Sequence, residues 1–478
     1  MNETPKSKRG WRIVRRVVLT AAILATLIAV FYAEEDWRGK RAWENCKREL
    51  EAKGAVLDWE KFIPPPVPDD QNIFKAPKMQ EWFVKGVVKL NGIISFNNST
   101  NELSGLSTNE LTTAVITNET VAANYLKWSG QFQPQFDQLR EALKRPYARM
   151  DGDYSEPYEI PIANFGNERA VAQVLAQRAK CGLLLGQPDQ ALNELTLLNN
   201  SRRLMERAPA GKPITLVDAM IDVAVTGLYA DTIAKGLQLH VWKEPQLAAL
   251  QKQLGQINLL PIFAQSFGSE PAATTCTLET VSTAKLREWF SPIGEMKWAL
   301  IPQIKAAVIP RGWIYQNMAT SARLVCQQTV GCDPLNDLIQ PRKFGDLTRE
   351  FNAIAWPYKF IVAKTIPNFT RAWQTTAHNQ TMVSEAQIAC ALERYRLAHG
   401  DYPETLNVLV PQFIERLPHD IIGGQPSQGS GSASQPLHYR RTNNGKFLLY
   451  SVGWNETDDG GEPGTLADPT QGDWVWKN

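Results

Sequence analysis

Glu385-Ala-Gln-Ile-Ala-Cys-Ala-Leu-Glu-Arg-Tyr-Arg-Leu-Ala-His-Gly-Asp-Tyr-Pro-Glu-Thr-Leu406 is the stretch on which the reading of the fold turns. Ala386, Ile388, Ala389, Ala391, Leu392 and Tyr395 form an apolar helix face, with Glu385, Glu393, Arg394 and Arg396 on other sides. Gly400 is a candidate C-cap, because it tolerates the left-handed conformation that ends helices, and Pro403 forbids continuation. Leu406, Leu409, Val410 and Phe413 predict a second short apolar helix. His438-Tyr-Arg-Arg-Thr and Phe447-Leu-Leu-Tyr-Ser-Val then read as two strands joined by a turn at Asn443-Asn-Gly. The low-complexity run between Gly423 and Pro436 reads as a flexible loop inserted on this scaffold. Together these elements predict a small α+β module.

Upstream, the pattern from about Asn164 to Leu254 is helical. Val171, Val174, Leu175, Ala179, Leu183 and Leu184 recur at three- and four-residue steps. Gly186-Gln-Pro-Asp is a stop followed by a new start, and Ala191, Leu192, Leu195 and Leu198 resume the stripe, making a helical hairpin. Its turn is similar to tetratricopeptide hairpins, but no second copy follows at the period of about 34 residues that an array requires. Ile214–Leu239 and Pro245–Leu254 predict further helices. From Gln265 to Pro367, tryptophans at 289, 298, 313 and 356 lie among prolines at 292, 302, 310 and 357, a pattern of amphipathic helices broken by proline. Asn91 to Asn118, rich in Asn, Ser and Thr, reads as loops and short elements.

At the front of the chain, Val17 to Ala33 is an uncharged run preceded by apolar Trp11, Ile13 and Val14, close to the roughly 20 residues a helix needs to cross a bilayer. Lys6, Lys8, Arg9, Arg12, Arg15 and Arg16 precede the run and Glu34, Glu35 and Asp36 follow it, which predicts a cytoplasmic N-terminus and an exported bulk. A cleaved signal peptide is the rival, disfavoured by the poor Phe31-Tyr-Ala cleavage site. Asp36 to Ala55 continues as a charged helix, which Ile63-Pro-Pro-Pro-Val-Pro-Asp-Asp-Gln-Asn72 breaks. The organisation expected is a basic tail at 1–12, a transmembrane helix at 13–33, a membrane-proximal region at 34–160, a helical domain at 161–380 and the α+β domain at 381–478. The net charge of +2 carries six cations in the N-terminal tail, so the remainder is near neutral and nucleic acid is not an expected partner.

The 385–406 helix with its Gly-x-Tyr-Pro turn, Tyr439, Leu448-Leu-Tyr-Ser-Val-Gly453 and Asp458-Asp-Gly-Gly461 resemble the globular head of a type II secretion major pseudopilin. That resemblance implies short strands after the helix, an acidic Gly-rich loop that binds calcium, and no active site. The chain departs from the family at its anchor, where Arg16-Val-Val-Leu-Thr-Ala-Ala lacks the family's processing site, so a filament subunit is not expected. Ile63–Asn72, Arg145-Pro-Tyr-Ala-Arg149, Tyr158-Glu-Ile-Pro-Ile162 and the Leu183–Leu192 hairpin also resemble a group of N-terminally anchored bacterial envelope proteins. This second resemblance implies architecture and location without an activity.

Candidate functional residues are few. Asp458, Asp459, Asp468 and Asp473 lie in a loop with Gly460, Gly461 and Gly464, and calcium takes six to eight oxygen ligands of this kind. Asp458 and Asp459 best match the ligand position of the pseudopilin loop, although the spacing to Asp468 and Asp473 is not an EF-hand. The alternative is a solvated acidic turn. Cys326 and Cys332 bracket a short loop that suits either a local disulfide or two buried thiols. No Gly-x-Ser-x-Gly, Gly-x-x-x-x-Gly-Lys, His-Glu-x-x-His or Gly-x-Gly-x-x-Gly-helix motif occurs, and the five histidines read as structural. The expectation is a non-catalytic, membrane-anchored structural or interaction protein of the envelope, with envelope or secretion proteins as partners. The alternative is a tethered hydrolase of envelope polymers drawing acids from Asp151-Gly-Asp-Tyr-Ser-Glu-Pro-Tyr-Glu159.

Overall fold

A computed structural model describes residues 8–84, 119–207, 209, 215–282, 284–286, 308–345, 362, 369–422, 435–442, 445–464 and 471–476. The fold is mainly helical with a few short strands. The chain divides into two compact units. One is Met1–Trp59 with Pro271–Cys326 and Glu350–Pro367; the other is Glu60–Glu270 with Gln327–Arg349 and Asn368–Asn478.

In the first unit, α1 (Lys8–Ala52) runs unbroken through the apolar stretch and the charged one after it. Ala55 N–H bonds the Leu50 carbonyl and Gly54 stands at φ +91°, the left-handed stop that ends the helix. The apolar residues from Trp11 to Phe31 are all exposed, and this helix is long and apolar enough to span a membrane. Farther along, Trp43, Cys46 and Leu50 share a core with Leu278 of α9 (Glu270–Thr280) and with Ile314, Met318 and Ala322 of α10 (Arg311–Gln327). The α1 and α10 backbones touch: a Cβ added at Gly312 would lie 1.9 Å from the Glu35 carbonyl, so only glycine fits there. Asp36 accepts from Gly312 N–H at 2.6 Å and Glu35 from the Trp313 indole at 2.9 Å. The acids that end the apolar run are therefore built into a helix crossing.

The second unit holds α2 (Glu119–Ser129), α3 (Gln133–Ala142), α4 (Phe165–Leu184), α5 (Pro188–Arg202), α6 (Leu216–Gln238), α7 (Glu244–Leu254), α8 (Leu259–Ser266) and α11 (Thr370–His399). The α4–α5 hairpin turns at Gly186, φ +66°, and Pro188 opens α5, where its missing N–H is harmless. A capping box between Thr215 and Asp218 starts α6. Val174, Leu175, Leu195, Leu198, Val223, Tyr229, Leu247, Leu250, Ile388 and Leu392 form one core with Leu409, Leu449 and Trp476. Position 381, the expected start of the α+β domain, lies within α11, which shares this core with Phe447 and Leu449 of the short strands. They are β1 (Cys332–Asp333) with β2 (Leu338–Ile339), β3 (His419–Asp420) with β4 (Gln435–Pro436), and a three-stranded antiparallel sheet of β5 (His438–Arg441), β6 (Phe447–Ser451) and β7 (Trp474–Val475). In that sheet Tyr439 pairs with Leu449 and Tyr450 with Val475.

Gly400 caps α11 at φ +87° as expected. The second short apolar helix is a single 3-10 turn, Leu406–Leu409, that stops before Val410 and Phe413, and a cis peptide follows at Val410–Pro411. Glu385 and Glu393, off the apolar face, are also buried, since the sheet and α6 enclose α11 from several sides. Outside the described residues lie most of the 423–436 insertion, the Asn443-Asn444 turn, the Asn91–Asn118 stretch, and Trp289, Trp298 and Trp356 with prolines 292, 302 and 357.

Candidate functional site

The acidic C-terminal loop folds on its own backbone. Asp473, buried at the start of β7's approach, accepts from Asp459 N–H at 3.2 Å and Gly461 N–H at 2.6 Å. Burial raises its carboxyl, against those two bonds. Asp458 accepts from Gly460 N–H at 2.9 Å and the Tyr450 hydroxyl at 3.0 Å, and the backbone bond leads in holding its carboxyl below the usual range. Asp459 accepts from the Asn455 amide at 2.8 Å. Asp468 lies outside the described residues. Among the described residues no group of three or more His, Cys, Asp or Glu side chains is gathered as a metal site. The glycines have a packing role: at Gly472, φ +72°, a Cβ would sit 2.2 Å from Gly464 N, and at Gly461, φ +87°, 2.5 Å from a Leu448 methyl. The three carboxylates described thus accept hydrogen bonds from within the loop.

Cys326 and Cys332 both carry thiols in this structure. Cys326 closes the packed face of α10, whereas Cys332 starts β1, and the division between the two units falls just after Cys326. Burial pushes their thiols up to about 11 and about 12, away from reactivity.

The residues around Glu393 converge most closely. Four donors reach its carboxylate: Arg396 through Nε at 2.8 Å and a terminal nitrogen at 2.7 Å, the Tyr402 hydroxyl at 3.0 Å, and His240 Nδ1 at 3.1 Å. Burial pushes this carboxyl up, but the Arg396 and His240 bonds and the Arg396 charge outweigh it, so it sits below the usual range. His240 occupies the left-handed position, φ 50°, that glycine normally takes after a helix, which brings its ring over α11. Glu393 thereby ties the end of α6, α11 and the Tyr402 turn together. Beside it opens a cleft lined by Leu237, Ala389, Phe447 and Trp476, with His240 and Lys446 among its polar groups. Apolar walls with a few placed polar groups are the usual make-up of a binding cleft.

Sequence reading placed Glu393 off the apolar face of its helix and His240 in a structural role, and so missed this convergence. The Glu393–Arg396 spacing of three on a helix was the available signal. The remaining histidines lie apart from it: His399 stacks on Tyr395, His438 stacks on Tyr450, and His419 bonds the Asp337 carbonyl. In the 151–159 loop, Asp151 pairs with Lys75 at 2.6 Å and Asp153 accepts from Ser155 N–H at 2.8 Å. No family model matches the sequence, and neither the curated proteins nor the solved structures compared with it yield a match.

Proposed function

We propose that this chain is a membrane-anchored protein whose bulk lies outside the cytoplasm and serves the bacterial envelope as a structural or interaction component, without catalysis. The exposed apolar stretch of α1 carries this reading: side chains from Trp11 to Phe31 would cost free energy in water and gain it in lipid. The cations before it and the acids after it give the orientation, N-terminus inside. At 45 residues α1 is roughly 67 Å long, about twice the hydrocarbon thickness, so it spans and then stands clear of the membrane. The Glu393 cleft, apolar with a polar rim, supplies a place for an apolar side chain of an envelope or secretion partner.

The test is cell fractionation with reporters. The full chain should stay in membranes through alkaline carbonate washing, and a phosphatase reporter fused after Asn478 should be active only if exported. Release of the full chain by carbonate, or an inactive exported reporter beside an active cytoplasmic one, overturns the reading. Site-specific photo-crosslinkers at Gln238 and Lys446 should then trap a partner in native envelopes, and an empty trap removes the cleft from it.

A further inference from the structure

Three hydrogen bonds tie the start of α10 to the end of the apolar run of α1. The Tyr32 hydroxyl donates to the Val308 carbonyl, Gly312 N–H to Asp36 and the Trp313 indole to Glu35. The backbones meet at the same level, since a Cβ added at Gly39 would lie 2.1 Å from the Gly312 carbonyl oxygen. Residues 308–313 therefore stand beside 32–39 along the axis of α1. The uncharged run Val17–Ala33 accounts for about 25 Å of helix. The rest of a hydrocarbon layer of roughly 30 Å is made up on the inner side, where Ile13 and Val14 continue the apolar stripe and Arg15 and Arg16 are long enough to reach back to water. On the outer side Glu34 closes the run. Trp37 then lies about 6 Å past Ala33, within the roughly 5–8 Å that the headgroups add to each face of the layer.

The side chains at this level suit that layer. Glu35, Asp36 and Gly39 are taken up by the crossing, which leaves Trp37, Lys40 and Arg41 exposed together at three- and four-residue steps. Helical side chains lean toward the N-terminus, here toward the lipid, and Arg41 does so: its guanidinium stands 5.4 Å from the centre of the Trp37 ring. A ring at the boundary with cations over it matches a membrane interface, where the ring takes up the apolar edge and the cations meet phosphate oxygens. The acids are balanced within the protein, since Arg38 pairs with Glu34 at 3.8 Å and with Glu35 at 2.5 Å. On the α10 side Ile309 packs into the core shared with α1, whereas Val308 turns outward and is 52% exposed. An outward valine held level with the end of a membrane-spanning run, and an outward tryptophan on the run's own helix, are covered by the same lipid.

We infer that the α1–α10 crossing is seated in the outer headgroup layer of the lipid bilayer, with Trp37 and Val308 in contact with lipid. Only the part of α1 beyond the crossing, which carries Trp43, Cys46 and Leu50 into the core, then stands clear of the membrane. The inference rests on the membrane reading of α1 and adds a second segment of the chain to the lipid contact. The experiment places the photo-crosslinker p-benzoylphenylalanine at Leu24, Trp37, Val308 or Glu51, all exposed positions, in the full chain. Each protein is reconstituted in vesicles of phosphatidylethanolamine and phosphatidylglycerol, and lipid adducts are measured by mass spectrometry. Glu51 follows Ala33 by about 27 Å of helix and is the control in water. Trp37 and Val308 should each give at least roughly tenfold the lipid adduct of Glu51, the ratio that a valine-sized preference for apolar surroundings supports. Val308 is decisive, because it comes to the boundary only through the crossing. A Val308 adduct no greater than that of Glu51, beside a labelled Leu24, overturns the proposal and leaves the membrane reading standing, whereas an unlabelled Leu24 removes both. A cross-linked dimer at Val308 in place of lipid assigns that face to a second copy of the chain and also overturns it.

Discussion

The acids of the C-terminal loop and those between α4 and α6 make opposite use of the same chemical group. Asp458, Asp459 and Asp473 each accept at least one hydrogen bond from their own loop, so their acceptor capacity is largely taken up where the sequence shows it. Glu168 accepts none, and Asp222 has one oxygen on Arg202 and Thr226 while the other has no partner. An acidic turn rich in glycine draws attention in a sequence, yet its described carboxylates accept from N–H groups that the turn itself supplies, backbone ones at Asp458 and Asp473 and the Asn455 amide at Asp459. Acids inside amphipathic helices attract none and carry the unmet demand.

That contrast is broken most severely by deleting the buried cation that pairs with Asp222. Arg202, 1% exposed, is paired with Asp222, equally buried, so Arg202→Met should cost about 3–5 kcal/mol in urea denaturation by leaving that acid uncompensated. A loss below about 1 kcal/mol would mean that the pair is not closed in solution. Glu168→Gln should move the other way, gaining about 1–3 kcal/mol at pH 7. Its sign follows from linkage: burial raises the folded-state carboxyl, so the native protein holds a proton that the unfolded chain releases. The contribution is intact below the unfolded range and is lost as pH rises. Asp218, which burial raises to about 6 against its Thr215 bonds, adds a loss between about pH 4 and pH 6. Its surroundings include Glu168, and Asp222 and Glu206 with their partner Arg202. Stability should therefore fall from pH 4 to pH 7 in the parent and fall less in Glu168→Gln; parallel profiles would show that Glu168 is not the proton holder.

Much of the scaffold was legible because its signals are local. Periodicity marked α4 and α5, Gly186 their turn, Gly400 the end of α11, and the charge change after Ala33 the end of the apolar run. Long-range pairings were not. Nothing near Gly312 announces that Glu35 crosses it, and nothing in Leu406-Asn-Val-Leu409 distinguishes one 3-10 turn from a short helix. Glu393 reads as lying off the apolar face of its helix because a charged residue in an amphipathic pattern usually does, and nothing in the sequence singles out Glu168. Their burial comes from a second element closing over the first: α6 and the Tyr402 turn over Glu393, and α6 over Glu168.

The smallest effects belong to the C-terminal loop, and they sharpen the contrast by their size. Asp473→Asn should cost about 1 kcal/mol, since an amide oxygen can serve one of its two backbone donors and loses the charge-assisted strength of both. Asp458→Asn, on an exposed side chain, should cost less than about 0.5 kcal/mol. Calcium bears on the same bonds. An ion bound by Asp458 and Asp473 would share carboxylates already polarised toward the Gly460, Gly461 and Asp459 N–H groups, so binding should be weak, toward the range of extracellular modules at about 10⁻³ M. Calorimetric titration of the full chain measures it directly. A micromolar constant that Asp458→Asn/Asp459→Asn removes would show the loop rebuilding around the ion, and the carboxylates would then be acceptors held in reserve, as Glu168 is, rather than fully engaged by their own backbone.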